Sequence, residues 1–145
     1  MSFSDLQSFL AHLERNGDLR RVTVEVDPLL EIPEIATRVV ADDGPALLFQ
    51  NVKGSRYPLA INILGSMRRI ETALGMHPSM LGQMLINTIE NLNPPSLKAV
   101  FSSRKELRRL LGGRKKLVRH GNSQEVTDAV PDLTQLPTIQ CWPGD

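Results

Sequence analysis

Arg21-Val22-Thr23-Val24-Glu25-Val26-Asp27-Pro28, then Ile32, Ile35, Ala36 and Val39, then Ala46-Leu47-Leu48-Phe49, is the stretch whose reading decides the fold. Val22, Val24 and Val26 alternate with Arg21, Thr23 and Glu25, a period of two that predicts a strand with one buried face. Asp27-Pro28 ends it, because proline cannot donate to a ladder. The apolar residues then recur at helical steps, so a helix is expected from near Ile32 to Gly44-Pro45. Pro33 fits if it sits in the first turn, where its missing N–H costs nothing. Ala46 to Phe49 reads as a short apolar strand. Strand, helix and strand in succession put the chain in the α+β or mixed α/β class.

On the amino-terminal side, Phe3, Leu6, Leu10 and Leu13 form an amphipathic helical stripe, with Phe9 beside them. Ser4 and Gln7 have the spacing of a capping box, and Gly17 is a natural stop. On the other side, Lys53-Gly54-Ser55 reads as a turn. Leu59 to Leu64 reads as a strand that either forms a hairpin with its predecessor or lies in the same sheet. Met67 to Leu74 is a short helix closed by Gly75. A longer helix begins near Pro78, carries Leu81, Met84, Leu85, Ile89 and Leu92, and is stopped by Asn93-Pro94-Pro95. A charged helix spans Ser103 to Leu111, closed by Gly112-Gly113, and Lys116-Leu117-Val118 is a candidate brief strand. From Gly121 onward no period is sustained, and Pro131, Pro137 and Pro143 break the tail into extended pieces. The expectation is one small domain of about five helices and a small sheet, with an extended carboxy-terminal tail.

The 145 residues suffice for one ordinary core, and 41% hydrophobic with 23% charged residues is ordinary for a water-soluble domain. No apolar run approaches the roughly 18 to 20 residues of a membrane-spanning helix. Met1-Ser2-Phe3-Ser4-Asp5 does not begin a secretory signal, and the one cysteine cannot form an internal disulfide; a reducing cytoplasm is expected. Net charge is +1, but its distribution is uneven. Residues 1–50 hold nine acids against four arginines, while residues 104–119 hold eight bases against Glu106 alone.

The candidate chemistry is thin. His12, His77 and His120 each lack a second ligand at metal-site spacing. Cys141, in Ile139-Gln140-Cys141-Trp142, has no neighbouring base and is expected to be a small buried hydrophobe. Gly112-Gly113-Arg114-Lys115 follows a helix rather than leading into one, so it caps rather than cradles phosphate. Asp42-Asp43 lie in a polar turn, where neither carboxylate has the distinct environment that acid–base pairs need. The basic segment, with Arg104, Arg108 and Arg109 or Lys115 opposite Leu107, Leu110 and Leu111, is the strongest raw signal for a nucleic-acid phosphate contact. It lacks interleaved aromatics, so a solvated face or a contact with an acidic surface of the same protein is preferred.

The order of short blocks adds a resemblance. Leu13-Glu14, Gly17-Asp18-Leu19 and Arg21-Val22, then Val26-Asp27-Pro28 with Leu30-Glu31-Ile32, resemble the opening of UbiD-family proteins. Gly44-Pro45-Ala46-Leu47-Leu48-Phe49, Asn62-Ile63-Leu64-Gly65-Ser66 with Arg69, and Ala73-Leu74-Gly75 continue in the same order. Asp132-Leu133, Leu136-Pro137 and Cys141-Trp142-Pro143-Gly144-Asp145 are similar to the opening of that family's central domain.

The resemblance implies a carboxy-lyase that decarboxylates aromatic or α,β-unsaturated acids, many members serving ubiquinone or menaquinone biosynthesis. It implies prenylated FMN as electron sink, with Mn2+ and K+, and a Glu–Arg–Glu network for proton transfer. Those groups belong to a central split-barrel domain that is expected beyond Asp145. No catalytic, cofactor-binding or metal-binding residue is therefore assigned in this chain. Residues 1–120 are expected to form the amino-terminal α/β domain and 121–145 the linker into the central one. The expected partners are those further domains, a small carboxylic acid and other copies of the full-length protein, with no nucleic acid. Two alternatives stay open: a stand-alone docking or scaffold module, and nucleic-acid binding through residues 104–119.

Overall fold

The computed structural model describes residues 3–91, 93, 100, 101, 103–112, 117, 119, 121 and 124–145. Its contacts divide the chain into two compact units, one of residues 1–75 with 131–145 and one of residues 76–130.

The first unit is built on the strand–helix–strand stretch. β1 (Leu19–Val26), α2 (Glu31–Ala41) and β2 (Ala46–Val52) follow α1 (Leu6–Arg15), and β3 (Leu59–Ile61) and α3 (Met67–Leu74) come next. β1 and β2 run parallel, as a helical crossover permits, and β3 pairs antiparallel with β2, giving the order β1-β2-β3. β2 is central and apolar at successive positions because both its faces are covered. Leu47, Phe49 and Val52 pack with Val26 and Ile32 in one cluster. Ala46 packs with Phe9, Leu13 and Leu19 in the other. The α+β class expected from the sequence is thus the architecture observed.

Local departures have physical causes. α1 is capped by Asp5 and Ser8 rather than by Ser4 and Gln7. The Asp5 carboxylate accepts from Ser8 N at 2.7 Å, and the Ser8 hydroxyl accepts from Asp5 N. The helix starts one residue later than the capping pair predicts; Phe9 and Leu13 are buried against Leu19 and Ala46, and Leu6 is exposed. In β1 a register shift between Val22 and Glu25 breaks the alternation, so Val24 is 67% exposed while Val26 is buried. Pro33 does lie in the first turn of α2. The Asp27–Glu31 corner is tied by hydrogen bonds from Asp27 N to Glu31 and from Leu29 N to Asp27, with Lys53 paired to Asp27 at 2.7 Å.

In the second unit, α4 (Pro78–Asn91) and α5 (Arg104–Gly112) are described. The expected apolar stripe of α4 is only in part its buried face: Leu81 and Met84 are half-buried. Thr88 is its buried residue, donating to Met84 O at 2.7 Å, whereas Leu85 and Ile89 are exposed. Leu92 and the candidate strand at 116–118, apart from Leu117, lie outside the described residues.

Candidate functional site

Two features of the first unit bring together residues that local sequence keeps apart. The first is a polar knot at the amino-terminal end of β2. β3 ends because Asn62 turns to φ 59°, the left-handed region that Asn tolerates. Its side-chain amide then donates to Gly44 O at 3.3 Å and Pro45 O at 3.1 Å. Gly65 lies so close to the Asn62 side chain that a Cβ there would overlap it. Ser66 caps α3 by accepting from Arg69 N at 3.3 Å. Arg69, only 2% exposed, donates from Nη1 to Gly44 O at 3.2 Å, and its buried Nε has no hydrogen-bond partner. Burial first, and Arg68 second, pull the Arg69 pKa down. Arg68, one residue earlier, points outward and pairs with the buried Asp18. A buried guanidinium held by a backbone carbonyl, with no ion pair among the described residues, locks the Gly44–Pro45 loop onto α3.

The second feature is the seat of the tail. Gln140 forms an isolated parallel bridge with Leu29: Leu30 N donates to Gln140 O at 3.0 Å and Gln140 N to Pro28 O at 3.1 Å. Ser55 Oγ donates to Gln135 O at 2.7 Å, and Ile139 packs on the core cluster under α2. Beside this seat runs a largely apolar groove of ≈ 440 Å³, lined along α2 by Pro33, Ala36, Thr37 and Val40 and along the tail by Ile139, Cys141 and Trp142. Trp142 is 63% exposed. The groove can receive an apolar side chain or ring; its lining offers no acid–base pair.

The sequence candidates are scattered. His12 stacks edge-on with Phe3 at 5.3 Å. His77 Nδ1 accepts from Ser79 N at 3.2 Å, the work of a helix cap. His120 lies outside the described residues. Cys141 is exposed, not buried as expected: the chain turns at Trp142–Asp145, and Cys141 N donates to the Asp145 carboxylate at 2.9 Å. Asp42 and Asp43 are exposed at the end of α2. Gly112 ends α5, and Gly113, Arg114 and Lys115 lie outside the described residues. Among the described residues no three of His, Cys, Asp and Glu gather as a metal site would require. The buried role of Arg69 and the Asn62 turn were missed by periodicity; the signal available was their place in the quoted Asn62-to-Arg69 block.

In the second unit a groove of ≈ 610 Å³ is lined by Met80, Gln83, Met84, Asn87, Thr88 and Asn91 of α4 with Ser103. Its amides are mostly partnered along the helix, as in Gln83 Nε2 to Asn87 Oδ1 at 2.8 Å.

Comparison with known proteins agrees with the block order. The model of the 3-octaprenyl-4-hydroxybenzoate carboxy-lyase N-terminal domain matches residues 10–89. The chain is similar to an evolved dimeric form of the UbiD-class enzyme HmfF from Pelotomaculum thermopropionicum, solved in complex with prFMN. Identity is 32%, TM-score 0.50, and the match covers 59% of this chain and 19% of that one. HmfF in complex with FMN matches at 33% identity and TM-score 0.50, over the same shares. Vanillic acid decarboxylase from Sedimentibacter hydroxybenzoicus matches at 38% identity and TM-score 0.44, over 51% of this chain and 16% of that one. The chain thus spans about a fifth of the length of the solved proteins it matches. With 80 of 145 residues under one family model, the chain belongs to the UbiD family through its amino-terminal domain.

Proposed function

We propose that the chain is the amino-terminal part of a UbiD-class carboxy-lyase acting on aromatic or α,β-unsaturated carboxylic acids. In this reading it is a scaffold without catalytic residues of its own. The observation that carries it is the match of the family model over residues 10–89; the chain spans 19% of the solved UbiD-class enzyme it is similar to. One relative is solved with prFMN and another structure of it with FMN, which supports prenylated FMN as the electron sink of the whole enzyme. Mn2+ and K+ beside that cofactor, and homo-oligomeric assembly in the cytoplasm, belong to the same reading. A polyprenyl-hydroxybenzoate-like acid of quinone biosynthesis is the substrate class that the family description suggests.

The domain division proposed is residues 1–120 as the amino-terminal domain and 121–145 as the approach to the flavin-binding domain. Support for this division comes from the block order of the sequence; in the structure residues 131–145 pack with residues 1–75, Gln140 bridging to Leu29. The test is a paired assay. The 145-residue chain and the product of the whole gene are each mixed with prenylated FMN and a panel of unsaturated acids. The expected result is flavin retention and CO2 release by the longer protein only. CO2 release by the 145-residue chain overturns the reading.

A further inference from the structure

Residues 76–130 carry nine Lys and Arg against four Asp and Glu, whereas the remainder of the chain carries eight against twelve. A net +1 therefore conceals a strongly basic second unit. Within it, Arg104, Lys105 and Arg108 are exposed at helical spacing on α5, while Leu107 is half-buried and Ser103 buried. Just before α5, Phe101 is 68% exposed and Val100 is exposed beside it. The Arg104 guanidinium lies 4.5 Å from the centre of the Phe101 ring, so the aromatic ring and the first of these bases lie together.

We propose that this face, Val100 and Phe101 with Arg104, Lys105 and Arg108, docks on an anionic lipid surface. Exposed apolar side chains next to a row of bases suit the boundary between headgroups and acyl chains. There the bases meet lipid phosphates and carboxylates, and the ring enters the apolar layer. A nucleic acid fits less well. Phe101 is the only Phe, Tyr or Trp in 76–130, and Arg104 covers one of its faces, so the segment lacks the series of rings on which successive bases stack. No helix among the described residues is long and apolar enough to cross a membrane, so the contact would be peripheral.

The test is co-sedimentation of the 145-residue chain with vesicles of phosphatidylcholine alone or with about 30% phosphatidylserine, a fraction that gives a strongly negative surface. Binding is expected on the anionic vesicles only, and it should weaken as salt is raised. Each base near such a surface contributes a factor of about five, so R104Q/K105Q/R108Q should lower partitioning by about a hundredfold. R104K/R108K should retain it. F101S should lower it several-fold, with circular dichroism confirming the fold of each variant. Equal binding to neutral vesicles, or unchanged binding by the triple variant, overturns the proposal. So does displacement of the vesicles by an oligonucleotide at equal phosphate concentration. If the triple variant does not fold, F101S and the salt titration of the unaltered chain decide.

Discussion

The two units use their apolar residues in opposite ways. In the first, Phe49, Leu13, Ile32 and Val52 are fully buried around a sheet covered on both faces. In the second, the buried residues among those described are the polar Thr88 and Ser103, while Met80, Ile86 and Ile89 stand on the surface of α4. Hydrophobic burial scales with apolar area removed from water, so the stabilising free energy of the described residues sits mostly in the first unit. The second unit is better placed to present a surface than to hold a core.

The sharpest way to break this contrast is a matched pair of truncations. Phe49 is 0% exposed on the central strand, and Phe49→Ala should cost about 3–5 kcal/mol and sharply lower the urea midpoint. Ile89, 68% exposed, should cost no more than about 0.5 kcal/mol when cut to alanine. Comparable losses at both positions would mean that α4 is buried in solution and the contrast is false.

The tail offers the next largest effect. Ile139 packs on the cluster under α2 although it lies over a hundred residues from Ile32. Ile139→Ala should cost about 2 kcal/mol, the low end for a core truncation because the residue is only half-buried. Native-state hydrogen exchange should show faster exchange at Leu30 and Gln140, whose amides close the bridge to the tail. Unchanged exchange there would show that the tail is not part of the first unit.

The polar knot is a smaller effect with a definite sign. Asn62→Ala removes two hydrogen bonds to the Gly44–Pro45 carbonyls and puts a Cβ-bearing residue without a polar side chain at φ 59°. A loss of about 1–3 kcal/mol is expected in urea denaturation. Asn62→Gly relaxes the backbone term, so it should recover part of that loss but not the hydrogen bonds. Equal cost for both variants would assign the whole effect to the side-chain amide.

Much of this architecture was legible because local signals agreed with the packing. Pro33 marks the first turn of α2, Gly75 closes α3 in the left-handed region, and the Ala46-to-Phe49 run is the buried strand. What escaped was set by tertiary registration. Val24 looks core-facing until the shift after Val22 rotates it outward. Arg68 and Arg69 are adjacent and chemically identical, yet one pairs at the surface with Asp18 and the other is sealed under Gly44. Only the phase of α3 against the loop before β2 distinguishes them. Cys141 is exposed because the last five residues turn back on themselves, which no periodicity announces. Family membership was legible from block order alone, because order constrains more than any one motif.

The smallest expected effect is a difference in acid sensitivity between the units. Among the described residues four carboxylates have lowered pKa values, and these lie in the first unit. The causes are the Ser8 backbone N–H for Asp5, the Arg21 hydrogen bond for Glu14, the Lys53 hydrogen bond for Asp27 and the Thr134 hydroxyl for Asp132. A depressed folded-state pKa means that the unfolded chain takes up protons first. The stabilisation is therefore complete above the unfolded value, about 4, and is lost as pH falls through the folded one. Asp5, Glu14 and Asp132 are exposed and Asp27 is half-buried, so each contributes little and salt reduces it further. The urea midpoint of the whole chain should fall between pH 5 and 2, and Asp27→Asn should flatten that slope slightly. Lys53, whose pKa is raised by the same contact, would lose its share only at strongly alkaline pH. Hydrogen exchange resolves where the acid acts: β1 and α2 amides should lose protection below pH 4 while those of α4 change less. If Asp27→Asn leaves the slope untouched, the Lys53 pair at the α2 corner contributes no measurable stability, and the acid response of the first unit is carried by other carboxylates, Asp5, Glu14 and Asp132 first among them.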